Sequence, residues 1–353
     1  MHWNPLDGTQ SPKSIAMNLR NPIALVPHGA PNGIQISTLT VGHDILVAGG
    51  FNGEYALLNL RAHRSTKHTE GIITTHDNSI TNHLEVQLSR TSYSPQVAMA
   101  SNDNGFRILD VATNKLVANH TFEYAINCSA ISSDSRLRVM VGDRKEVLIC
   151  RTDTGEVLQS LEGHTDYGFA CDWADDGWTV ATGNQDQQIL IWDARQWTTA
   201  SGRANPIAVV ATEQAGIRKL KFSPLGSGKK VLVAAEPADI VNIIDAGTFD
   251  QKQKLHFFGE IGGFDFADGG RDLIVANCDS MRGGLMEFER CGLAQRSFHD
   301  LQVEKGRYDV DIDATRYDWC MDEQALDSDK EGWGTIVSRR GKTTFLGSDM
   351  GHF

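Results

Sequence analysis

An all-β fold is what this sequence predicts, and three observations predict it. Short runs of apolar residues recur along the chain at a near-constant spacing. The turns between them are rich in Asp, Gly, Ser and Pro, residues that tolerate the tight conformations of hairpins. No segment carries the capped 3.6-residue periodicity of an amphipathic helix, apart from a weak trace near the C-terminus. With 353 residues, 40% of them hydrophobic, the chain has material for a large core, which excludes disorder along its whole length.

Each recurring unit has an apolar run, a turn, a second apolar run ending in small residues, a polar turn, and a third run that closes on an aliphatic-polar step. The first unit closes on YALLNL (55–60), and the second runs through VAMAS to FRILD (106–110). The third has the turn SDSR (133–136), then LRVMVG, then VLICR (147–151). In the fourth, ADDG (174–177) leads to ILIWD (189–193); in the fifth, SPLGSG (223–228) and VLVAA lead to VNIID (241–245). The sixth turns at ADGG (267–270) and ends at LMEFE (285–289). Taking Leu60, Asp110, Arg151, Asp193, Asp245 and Glu289 as markers, the spacings are 50, 41, 42, 52 and 44. A period in the forties with three or four short strands per unit is the pattern of a β-propeller.

The fourth repeat is the most complete, with Gly163-His164 followed 28 residues after the histidine by Trp192-Asp193. In this the chain resembles WD-repeat proteins. The resemblance implies a buried series of hydrogen bonds through His164, Thr182, Asp186 and Trp192. Matching every donor and acceptor in such a series offsets the cost of burying an imidazole and a carboxylate. The strings ASNDNGFRILD (100–110), VATGNQDQQILIWDAR (180–195), VAAEPADIVNIID (233–245) and FFGEIGGFDF (257–266) together resemble a fungal and plant WD-repeat subfamily in which ATGNQD, AEPAD and FFGEI recur. That resemblance covers roughly residues 33–291. The other five repeats lack the Trp and mostly the GH, so apolar packing is expected to hold them. The family also implies seven blades: the six visible ones and a composite of both chain ends, drawing on IALV (23–26) and FHDLQV (298–303). The expected division is a closing N-terminal segment over 1–32, a propeller over 33–303, and an acidic, partly disordered tail over 304–353.

The formal net charge is -12, from 33 Lys+Arg against 45 Asp+Glu. Residues 309–331 alone hold nine acidic and two basic side chains, a net of -7, which leaves the rest of the chain at -5. That balance, without any basic-aromatic stripe, argues against nucleic acid and anionic membrane as partners. The acidic stretch reads as a solvated segment; its embedded Tyr317 and Trp319, with nearby Trp333, also suit docking on a basic partner. Six dispersed cysteines without a CxxC pair read as reduced thiols, and no leader-like N-terminus or long apolar run is seen. The expectation is a monomer of cytoplasm or nucleus.

Nothing in the sequence assembles a catalytic constellation. GxSxG, GxxxxGK[ST] and HExxH are absent, and GEIGG (259–263) reads as a strand-to-strand connection. RAHRSTKH (61–68) reads as an exposed loop whose positive charges would repel a cation. No catalytic residue, metal or cofactor is expected, and a propeller enzyme acting through a central channel is a remote alternative. The expected function is non-enzymatic scaffolding of proteins or peptides on a face built from the turns between second and third strands and the entries to the first strands. The former turns carry Asn102, Asp143, Gln185 and Pro237; the latter entries carry Tyr124, Tyr167, Phe169 and Arg218. Tyr167, Phe169 and Arg218 are the preferred anchors. Alternatively, the box ending in WDxR resembles the one by which related proteins dock on the adaptor of cullin-4 ubiquitin ligases, placing Asp193 and Arg195 at that contact.

Overall fold

The computed structural model describes residues 35–61, 68–214, 216–279, 281, 283–291 and 335–338. Among them every element is a β-strand except one short 3-10 turn at Asp268–Gly270, and no helix is long and apolar enough to cross a membrane.

The strands form five small antiparallel sheets in succession, a propeller-like arrangement. The first holds β1 (Ile36–Gly42), β2 (Ile45–Gly50), β3 (Glu54–Asn59) and β4 (Thr69–Ile72), in that order. The second holds β5 (Thr81–Leu88), β6 (Pro95–Ser101), β7 (Gly105–Asp110) and β8 (Lys115–Thr121). The third contains β9 (Ile126–Ile131), β10 (Leu137–Gly142), β11 (Arg144–Arg151) and β12 (Val157–Leu161). The fourth contains β13 (Gly168–Trp173), β14 (Thr179–Asn184), β15 (Gln188–Asp193) and β16 (Pro206–Ala211). The last has seven strands: β17 (Lys219–Phe222), β18 (Val231–Ala235), β19 (Ala238–Asp245), β20 (Lys252–Ala267), β21 (Asp272–Asn277), β22 (Gly284–Cys291) and β23 (Thr335–Ser338).

Burial within each sheet follows composition. The small and β-branched second strands, TVATGN in β14 and VLVAA in β18, are buried at every position, as suits an interior strand covered on both faces. Fourth strands are largely wet and alternate, with Ile207 and Val209 of β16 pointing outward at 52% and 57% exposure. The hairpin turns take the left-handed backbone that their residues permit: Asn104, Ser135, Gly177 and Gln187 all have positive φ.

Two compact units emerge, one comprising residues 1–144 and 150–158, the other 145–149 and 159–353. The core of the first gathers Ile45, Val47, Leu57, Leu84, Val97, Met99 and Leu109 from the first two sheets. In the second unit, Ile189, Ile191, Ile217, Leu220, Phe222, Leu232 and Ile244 join the fourth sheet to the start of the fifth. A further cluster there, around Val233, Val241, Phe257, Phe264, Val275 and Phe288, fills the long sheet.

Among the described residues there are five sheets where seven blades were expected. All six third-run endings fall in third-position strands, β3, β7, β11, β15, β19 and β22, but the fifth and sixth repeats share β20. Its first part pairs with β19, through Lys252–His256 and Glu260; its second part, Ile261–Ala267, pairs with β21. The string GEIGG is therefore part of this strand and not a connection. At Gly259 φ is +87°, and a Cβ would lie 2.9 Å from that of Asp279, so glycine lets the strand change partners there. The final strand comes from within the segment read as a tail, since β23 pairs with β22. Residues 1–34, FHDLQV, residues 62–67 and the acidic stretch 309–331 lie outside the described residues.

Candidate interaction surface

The hairpin geometry of the fourth sheet brings four distant residues together. His164 precedes β13, Thr182 lies on β14, Asp186 in the β14–β15 turn and Trp192 on β15. Trp192 Nε1–H donates to Thr182 Oγ1 at 2.9 Å; Thr182 Oγ1 lies 2.9 Å from His164 Nε2. The other ring nitrogen, Nδ1, lies 2.9 Å from Asp186 Oδ2. Asp186 also accepts from the backbone N–H of Thr165 at 2.9 Å and of Gln188 at 3.2 Å. Burial works against ionisation of Asp186, but His164 and these amides outweigh it and hold its carboxyl below the usual range. The network fixes the loop before β13 against the β14–β15 turn.

In the second sheet the equivalent turn aspartate, Asp103, meets Arg107 instead, with oxygen–nitrogen distances of 3.0 and 2.6 Å. Burial opposes ionisation of Asp103 too, and the Arg107 bonds lower its pKa on balance. That sheet therefore closes its turn with a buried ion pair in place of an imidazole.

The eight residues expected on one face all lie at the same end of their own sheets, at second-to-third turns or first-strand entries. Tyr167, Phe169, Gln185, Arg218 and Pro237 belong to the second unit; Asn102, Tyr124 and Asp143 belong to the first. Arg218, exposed, lays its guanidinium 3.9 Å from the centroid of the half-buried Phe169 ring. Tyr167, two residues before Phe169, is 49% exposed, and Gln185 is exposed in the adjoining turn.

In the first unit a chain of amides forms. Asn82 Nδ2 lies within 2.9 Å of Asn102 Oδ1 and 3.3 Å of Asn127 Oδ1. Asn102 donates on to Asn78 at 3.0 Å and Asn127 to Asp143 at 2.9 Å. Asn102 and Asp143, expected only as separate turn residues, are thus the arms of one network. Tyr124 carries the Arg144 guanidinium 5.0 Å from its ring centroid.

Register explains why these residues cluster. Most first strands begin with a bulge, a residue without a partner across the pair, which turns that side chain away from the regular alternation. The bulge residues are Ser37, Asn82, Asn127, Phe169 and Gly262. Arg218 immediately precedes β17, where its N–H donates to Ala235 O at 3.0 Å. In the first unit these side chains also tie neighbouring sheets: Ser37 Oγ donates to Thr81 O at 2.7 Å and Asn82 Nδ2 to Ile126 O at 3.2 Å.

At the other end of the fourth sheet, Arg195 forms a bidentate pair with Asp193, at 2.9 Å from Nε and 2.6 Å from the second nitrogen. Its guanidinium also lies 5.0 Å from the ring centroid of Trp178, which is 44% exposed.

No family model matches this chain. It is 24% identical over 215 residues to a Schizosaccharomyces pombe protein described as "Uncharacterized protein C4G3.03". That match spans 56% of this chain and 60% of the yeast protein, less than two thirds of its length.

Sequence reasoning also missed a polar centre at Arg138. Arg138 of β10 is 1% exposed, yet its guanidinium reaches Glu85 and Gln87 of β5 and donates to Ser129 Oγ of β9 at 2.9 Å. It also stands 5.2 Å from the centroid of Phe106. Mainly apolar packing was expected between these strands. The available signal was an arginine inside LRVMVG, and its acidic partner is 53 residues away in sequence.

Proposed function

We propose that this chain is a non-enzymatic WD-repeat-type scaffold that holds other proteins or peptides in cytoplasm or nucleus, as a monomer and without a cofactor. One observation carries the reading: at one end of the second unit, exposed Tyr167 and an Arg218 stacked on Phe169 are presented beside Gln185 and Pro237. An arginine braced on an aromatic ring is preorganised, so it loses little side-chain entropy on meeting a partner. Arg and Tyr are also residue types in which interface binding energy concentrates. The test is affinity purification with mass spectrometry on wild type and on a Tyr167→Ala/Arg218→Ala variant. Partners lost selectively from the variant support the surface, and an unchanged partner list overturns it.

A second reading has its own observation. Arg195 is exposed and held between Asp193 and Trp178, a paired cation and indole facing solvent. This supports docking on a cullin-4 ligase adaptor. Its pairing with Asp193 also satisfies Arg195 locally, which leaves this reading second. Co-purification with the adaptor that is lost in Arg195→Ala favours it; co-purification unchanged by that substitution removes the box as its basis.

A further inference from the structure

His83 and Cys128 hold matching places in adjacent first strands of the first unit. Each directly follows a bulge residue, His83 pairing across to Ala100 and Cys128 to Val141. The Cys128 sulfur lies near enough to the His83 ring to act on it as a charge and as a hydrogen-bonding partner. His83 Nδ1 is buried without a hydrogen-bond partner. The charged groups around the ring are Glu85, two residues along β5, and Arg138 of β10, whose guanidinium is itself bound to Glu85, Gln87 and Ser129. Cys128 is only partly buried, so a small reagent can reach it.

We propose that Cys128 and His83 form a thiolate–imidazolium pair, a modification site at which a hydroperoxide oxidises Cys128 to its sulfenic acid. The thiolate attacks one peroxide oxygen, the S–O bond forms and the O–O bond breaks. The imidazolium proton passes to the departing hydroxide, so thiolate, imidazolium and hydrogen peroxide give sulfenic acid, neutral imidazole and water. Sulfur is oxidised by two electrons and the peroxide is reduced. Electrostatics support the pair. Burial disfavours a charged His83 ring, but the Cys128 sulfur and the Glu85 carboxylate outweigh it, against opposition from Arg138, and the ring holds its proton to higher pH than usual. Cys150 shows the contrast: burial pushes its thiol up to about 12 against the opposing pull of Arg138.

The experiment is alkylation of the full-length protein by iodoacetamide across a pH series, read at each cysteine by peptide mass spectrometry. In the unfolded chain, Cys128 should gain rate roughly tenfold per pH unit below about 8.5, as a free thiol does. In the folded chain its rate should stay within about twofold from pH 6.5 to 8.5. At pH 6.5 the folded chain should react several-fold faster than the unfolded one, its larger thiolate fraction outweighing the lower nucleophilicity of a more acidic thiol. Hydrogen peroxide with a dimedone trap should then label Cys128 ahead of the exposed Cys278. His83→Gln should restore the rising profile in folded protein, and if that variant does not fold the wild-type profile decides alone. A folded-state profile parallel to the unfolded one, no labelling of Cys128 in folded protein, or prior trapping at Cys278 would each overturn the site.

Discussion

Thr182 has a single hydroxyl hydrogen and two acceptors in range, His164 Nε2 at 2.9 Å and Leu190 O at 3.5 Å, of which the nearer takes it. The Trp192 indole can only donate, so Thr182 accepts from it and donates to His164 Nε2; the ring then gives its Nδ1 proton to Asp186. Thr182→Val keeps the shape and strands two buried groups, at about 1–3 kcal/mol each. A urea titration should therefore show a loss of about 2–6 kcal/mol, while Thr182→Ser, which keeps the hydroxyl, should lose about 1 kcal/mol. Asp186 adds a pH signature. Its folded-state pKa lies below its unfolded one, so the ionised carboxylate stabilises the fold above about pH 4 and that contribution is lost as pH falls through the folded value. Asp186→Asn should lower stability at pH 7 and flatten the acid limb of stability against pH below about 4, measured as the urea midpoint at pH 7 and pH 3. These four residues were legible in the sequence because the Gly-His and Trp-Asp steps at their spacing belong to one chemical device. The Asp103–Arg107 pair was not, because an arginine four residues after a turn aspartate looks like any solvated pair until burial is known.

Between elements, the join of β5, β9 and β10 rests on charge where mainly apolar packing was expected. Arg138 is buried while Glu85 keeps 24% of its side chain exposed, so removing the carboxylate strands a cation that has no way to water. Glu85→Ala should cost about 3–5 kcal/mol, and a double variant Arg138→Met/Glu85→Leu should regain most of it, since apolar pairs of similar volume commonly replace buried ion pairs without loss. Chemical denaturation of the three proteins checks this; equal losses in single and double variants would show that shape, not charge, holds the strands. Strand identity was the legible part here, because each third run carries its own apolar alternation. Sheet count was not, because β20 shows its change of partner only through GEIGG, and glycines in a strand read equally well as a turn.

For the molecule as a whole, the question is how the chain returns to complete its last sheet. β23 lies beyond the acidic stretch 309–331 yet pairs with β22, covering what would be an open strand edge. Removing 309–331 roughly halves the connection between Cys291 and Thr335, and halving a connection changes its closure entropy by only about 0.6 kcal/mol. It also removes a net charge of -7. The deletion should therefore leave thermal unfolding within about 1 kcal/mol of wild type. Truncation after residue 334 keeps the acidic charge but removes β23, and should lower the transition and promote association through the bared edge of β22, visible by light scattering. If instead the internal deletion is the more damaging of the two, the acidic stretch packs against the sheets, and its Tyr317 and Trp319 become part of the fold's energetics.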